Sequence, residues 1–217
     1  MEFQAPRSPD FNARTCLVEH FPETMTGSFT AEALTRLLHR YYPPGLWTHD
    51  PAYDASEQAL RLTQLLETAQ RDTRPWESFV QKVREEFVGC TVWDMSLPWS
   101  EPCYRLRVYL PEAANDGKAD DAVVCLLSLL APVYALYASH FLEADSRVEK
   151  WTRYPPLPPE FQLHEAKLAG LIEASLGATR LPNEVLFTPV AGLAPRTGTH
   201  APGEALMADL LLTHDRW

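Results

Sequence analysis

Residues 76–97, WESFVQKVREEFVGCTVWDMSL, mark the place where the apolar period of the chain changes. Trp76, Phe79, Val80, Val83 and Phe87 recur at the spacing of one helix face. Thr73 suits the N-cap, Pro75 the first turn, and Gly89 the position just past the end. From Cys90 the period drops to two. Trp93, Met95 and Leu97 share one side, and Asp94 and Ser96 the other. Residues 103–110 alternate in the same way, with Tyr104, Leu106, Val108 and Leu110 opposite Arg105 and Arg107. The stretch therefore predicts a helix followed by a hairpin of strands 90–97 and 103–110, with its turn at Pro98–Pro102.

The register of that hairpin follows from matching the two amphipathic strands. A sheet with one wet face should set Asp94 opposite Arg105 or Arg107, and Trp93 or Met95 opposite Leu106 or Val108, because a one-residue slip inverts every side chain. The expectation is an exposed ion-pairing face formed by Asp94, Arg105 and Arg107. Such a face is either an anion- or partner-binding patch or a surface salt bridge worth ~0–1 kcal/mol. Cys90 and Cys103 are out of register in either case, so no disulfide joins them.

Downstream, 122–130 is continuously apolar and rich in valine and leucine, as suits a central strand buried on both faces. Residues 133–142 fit a strand or a helix, and the strand is preferred. The stretch 122–142 is long enough for a membrane helix. Pro132 at its centre, its polar second half and its acidic flanks argue against a span. Residues 154–159 read as a stiff proline connector, and 160–176 as a helix ended by Gly177. Residues 184–190 and 205–213 read as two final strands. Upstream, helices are expected at 31–42, after Thr30, and at 55–70, after Asp54. Residues 1–27 are irregular.

The order of three helices, strands, a helix and further strands lacks regular β-α-β alternation. It predicts an α+β fold, an antiparallel-rich mixed sheet packed against about four helices in one domain over 1–217.

The formal net charge is −10. Within 112–149 seven acids (Glu112, Asp116, Asp120, Asp121, Glu143, Asp145, Glu149) face only Lys118 and Arg147. That sign repels phosphate backbones, which argues against nucleic acid as a ligand, and attracts a basic protein partner. Arginine outnumbers lysine 15 to 4, a composition that suggests a GC-rich bacterial genome. Residues 1–7 lack a basic region followed by an apolar run, so a soluble, cytoplasmic protein with free thiols at Cys16, Cys90, Cys103 and Cys125 is expected.

No phosphate-cradling glycine loop, no paired cysteine or histidine spacing for zinc and no G-x-S-x-G elbow occurs. No cofactor and no metal are expected. His49-Asp50 and His214-Asp215 are the local histidine–acid pairs, but neighbours on a strand point apart. The reading that remains is a non-enzymatic binding protein, of the kind by which a bacterial immunity or inhibitor protein neutralises a toxin or effector. Asp116, Asp120, Asp121, Arg105 and Arg107 are its candidate partner-binding residues. The alternatives are an enzyme assembled from dispersed residues, with His49, His140 or His214, and a structural or scaffold subunit of a larger assembly.

Overall fold

The structure is a computed structural model that describes residues 29–111, 120–144, 147–197 and 203–213. A first group of helices comprises α1 (Ala31–Leu38), the single turn α2 (Pro51–Asp54), α3 (Glu57–Arg71) and α4 (Arg74–Glu86). Strands β1 (Thr91–Asp94), β2 (Cys103–Tyr109), β3 (Ala122–Ser128), β4 (Val133–Ala144) and β5 (Arg147–Arg153) follow. The chain then forms α5 (Pro159–Leu176), β6 (Thr179–Arg180), α6 (Asn183–Leu186) and α7 (Met207–Leu211). The fold is α+β. Its sheet runs β1-β2-β3-β4-β5, all antiparallel, and β6 lies parallel to the start of β4.

Local chemistry sets the helix ends. Thr30 Oγ1 accepts from Ala33 N (3.2 Å) and Ser56 Oγ accepts from Ala59 N (3.1 Å), each satisfying an orphan amide of a first turn. The cap of α3 is thus Ser56. Asp54 ends the preceding turn, α2, so the start expected at residue 55 moves by two. Gly177 stops α5 with φ +64°, a conformation that costs any residue with a Cβ.

Helices cover both faces of the sheet. On one face α4 contributes Trp76, Phe79, Val80 and Val83, and α5 contributes Phe161, Leu168, Ile172 and Leu176. They bury Tyr104, Leu106 and Val108 of β2 with Val123, Cys125 and Leu127 of β3. On the opposite face α1, α3 and α7 pack through Leu34, Leu38, Leu62, Leu66, Met207 and Leu211. Beneath them lie Cys103, Val124, Leu126, Val133, Ala135 and Tyr137. Every residue of β3 is buried, as its unbroken apolar run requires. The stretch 122–142 is two antiparallel strands joined by a turn, and no helix among the described residues is long and apolar enough to cross a membrane.

Three sequence expectations are corrected. The hairpin pairs Thr91 with Tyr109, Val92 with Val108, Trp93 with Arg107 and Asp94 with Leu106, so Trp93 shares a face with both arginines. Matching failed because it assumed one wet face, whereas Asp94 and Arg105 each find partners on the face they actually occupy. Asp94 accepts from Trp76 Nε1 of α4 (2.9 Å) and from Ser96 Oγ (2.5 Å), and Arg105 is buried on the other face. The expected strand 184–190 is instead the end of the short helix α6 and a turn. The expected strand 205–213 contains the short helix α7, and the two segments meet at an isolated bridge between Pro189 and Leu206. A fully buried apolar run carries no period to tell strand from helix.

Candidate functional site

The chemistry of the molecule concentrates on the face that carries the arginines. Cross-strand pairing sets Arg107 beside Val124 and Val124 beside Tyr137, one row across the sheet, with Arg105 in the next row on the same face, beside Leu126. Arg105 Nη2 donates to both carboxylate oxygens of Glu101, at 3.1 and 3.2 Å, and to Thr213 Oγ1 at 3.3 Å. Thr213 Oγ1 in turn donates to Glu101 Oε1 at 2.8 Å. Side-chain exposure of the ion pair is only 5% and 8%, so these are desolvated charges that stabilise each other. Glu101 is held by the turn, its amide donating to Leu97 O, and Thr213 by the end of α7, its amide donating to Ala208 O. The cluster therefore ties the hairpin to the C-terminal helix.

Tyr137 stands beside it. Burial pushes its phenol well above the usual value, a rise opposed by the positive field of Arg105. Among the described residues, the Tyr137 hydroxyl and Arg107 Nε are both buried without a hydrogen-bond partner. Beyond Arg107 the face opens into a groove of about 370 Å³. Arg107, Lys150 and Asp120 supply its charges, and Met95, Phe141 and Trp151 part of its wall.

A second polar pair lies at the same end of the sheet. His140 Nδ1 is 2.5 Å from Asp121 Oδ1, and the imidazole stacks on Trp151 with centroids 5.1 Å apart. His140 and Ser139 are neighbours on β4 and project to opposite faces, so this histidine is not positioned to activate that hydroxyl. Cys103 and Cys125 are no better as nucleophiles, since burial raises both thiols far above neutrality. Asp50 does not pair with His49; its carboxylate accepts from Ala52 N (2.8 Å) and caps α2. Among the described residues no three histidine, cysteine, aspartate or glutamate side chains are grouped to hold a metal ion.

No protein-family model, curated protein or solved structure matches this chain.

The sequence-derived candidates are thus dispersed. Arg105 is enclosed, not exposed as expected, and its guanidinium is held by Glu101 and Thr213. Arg107 lines the groove and Asp120 sits exposed at its edge. Asp121 turns to His140. Asp116, His214 and Asp215 lie outside the described residues. Sequence reasoning missed Glu101, Tyr137 and Thr213. Glu101 is four residues before Arg105, a spacing that offered a hint, but Thr213 is 108 residues away and offered none.

Proposed function

We propose that this chain is a non-enzymatic protein-binding module of the bacterial cytoplasm, acting as an immunity or inhibitor protein that neutralises a basic toxin or effector. The observation that carries the proposal is the edge of the sheet. Trp93, Leu97 and Trp99, within seven consecutive residues, are 55%, 40% and 60% exposed. Exposed tryptophans on a rigid element are the side chains that most often anchor a protein interface. Rigidity comes from the turn itself, which the buried Glu101–Arg105 pair fastens from beneath. The exposed Asp120 and the net charge of −10 favour a basic partner and oppose a phosphate backbone.

The rival reading, an enzyme, draws on one observation, the His140–Asp121 pair under Trp151. No nucleophile or metal group stands with it among the described residues.

The test is reconstitution with a purified partner. Trp93→Ala combined with Trp99→Ala should weaken the complex ~30-fold or more, as for loss of an interface anchor, with no loss of thermal stability. Neutralising Asp116, Asp120 and Asp121 together should slow association and flatten its salt dependence while dissociation changes little. Undiminished affinity in the tryptophan variant would contradict the proposal.

A further inference from the structure

A second opening in the molecule shares no residue with the tryptophan edge or the Arg107 groove. Helix α3 packs on one face of the sheet and α4 on the other, so the link between them, Asp72–Thr73, crosses the end of the sheet. The crossing leaves a cleft of about 300 Å³ between α3, the first turn of α4, the end of α5 and the turn joining β3 to β4. Leu65, Ala69, Leu127, Leu129, Leu176 and Ala178 give it an apolar wall. Interiors close-pack down to voids the size of a water molecule, so a space this large is no packing defect, and it has the lining of a ligand cleft.

Most polar groups in the wall are engaged. Arg61 donates to Glu57 Oε1 (2.5 Å) and to Arg40 O (3.1 Å), and Asp72 is paired with Arg74 at 2.7 Å. Thr68 Oγ1 donates to Gln64 O, and Ser128 Oγ to Leu211 O. Gln64 and Tyr41 are more exposed and meet solvent at the rim. Tyr104 differs from all of these. Its side chain is stacked on Trp76 and the residue is only 3% exposed, yet its hydroxyl makes no hydrogen bond among the described residues. Nor is that hydroxyl sealed in, as the Tyr137 hydroxyl is, so it opens to the cleft that the side chain lines. Buried polar groups nearly always have a partner, and an orphan facing an apolar cleft marks where a ligand atom bonds.

Electrostatics sets the class of that ligand. Burial, and then Asp72, Asp94 and Glu77, push the Tyr104 phenol up to about 12. The hydroxyl therefore keeps its proton at physiological pH and offers it to an acceptor. Those three carboxylates disfavour an anion beside it. They do not call for a cation either, since each already has a donor: Arg74 for Asp72, Trp76 Nε1 for Asp94 and Thr73 Oγ1 for Glu77. A carbonyl oxygen accepts without bringing a new donor that an apolar wall would leave unsatisfied.

We propose that the cleft at the α3–α4 crossing binds a small neutral carbonyl compound with an apolar body, its oxygen accepting from the Tyr104 hydroxyl. The site does not rest on the protein-binding reading and stands or falls without it.

1-Indanone and indane, the same rings with and without the carbonyl, are the probes, and indane-1-carboxylate is the anionic control. In nitrogen–proton correlation spectra 1-indanone should shift the amides of Ala69, Leu129 and Ala178 saturably. Calorimetry should show indane binding ~3–10-fold more weakly than 1-indanone, as for loss of a neutral hydrogen bond, and the carboxylate more weakly still. Tyr104→Phe keeps the ring on Trp76; it should lower 1-indanone to the affinity of indane and leave indane unchanged. The carbonyl stretch of bound 1-indanone should fall in frequency on the parent protein and not on Tyr104→Phe, a signature that a merely structural role for Tyr104 would not produce. Circular dichroism confirms that the variant is folded, and the ketone–hydrocarbon comparison on the parent protein needs no variant at all. Absence of a saturable shift at the cleft, equal binding of 1-indanone and indane, tighter binding of the carboxylate, or undiminished 1-indanone binding by a folded Tyr104→Phe protein would each overturn the site.

Discussion

The two faces of the sheet solve the same burial problem with different chemistry. Under α4 and α5 the packing is aliphatic and aromatic, and Trp76 stacks on Tyr104 with centroids 4.6 Å apart. Polar contacts on that side sit at the margin, where Trp76 Nε1 meets Asp94 and Tyr134 Oη donates to Glu173 at 2.7 Å. Under α1, α3 and α7 the core is aliphatic too, but it contains a desolvated ion pair and then gives way to an open groove. The difference teaches that a face which looks amphipathic in sequence need not face water. The charge of Arg105 is inside and paired with Glu101, and the sheet reaches the surface at Trp93 and Arg107.

The largest expected effect breaks the polar face. Arg105→Met alone strands Glu101 as a buried charge and should cost ~3–5 kcal/mol in urea denaturation. Adding Glu101→Leu removes the stranded charge and should recover most of that loss. If the single and double variants are equally stable, the pair is solvated and the contrast between the faces disappears. On the dry face Phe79→Ala should also cost ~3–5 kcal/mol, through cavity formation and not through charge, and no second substitution of a polar residue should rescue it.

Next in size is the margin of the dry face. Trp76→Phe keeps most of the ring packing and removes the donor to Asp94. It should cost ~1.5–3 kcal/mol, the worth of a hydrogen bond to a charged group. Ser96 still donates to Asp94, through both Oγ and N, which argues for the lower end. A neutral substitution would show that Asp94 is solvated.

The thiols sharpen the comparison without mutation. Cys103 belongs to one face and Cys125 to the other, both fully enclosed with raised pKa, whereas Cys90 is half-buried with a smaller rise from burial. In the native protein at neutral pH an alkylating reagent should label Cys90 well ahead of the other two, as peptide mapping would show. Early labelling of Cys103 would mean that the polar face opens readily.

The smallest effect concerns pH. His164 stacks on Phe87, and burial, reinforced by Lys167, lowers its pKa below 6.5. The unfolded chain therefore takes up this proton first. The contribution of His164 to stability should be complete above about pH 6.5 and fall as the pH drops through its folded pKa. His164→Phe should flatten the stability profile in that window.

Much of the architecture was legible because periodicity reports burial. The stripe Trp76–Phe87 and the unbroken run from Ala122 specified a helix and a central strand. The hairpin register was not legible, since it depended on knowing that both faces are covered. The Arg105 cluster was legible only in part, because Thr213 arrives from a helix that an apolar run without period could not announce. The groove was invisible for a related reason: it forms where three strands, β2, β4 and β5, meet Met95 just past β1 and Asp120 ahead of β3.

Everything said of Arg105, Arg107 and Trp93 rests on one register, and cross-strand nuclear Overhauser effects measure it directly. The observed pairing alternates so that Val92–Val108 and Asp94–Leu106 are the close pairs lacking mutual backbone hydrogen bonds, with Cα atoms ~4.5 Å apart. The account predicts strong contacts between the α-protons of Val92 and Val108 and between those of Asp94 and Leu106. Contacts from the Asp94 α-proton to that of Arg105 or Arg107 instead would place the arginines on the other face and contradict it.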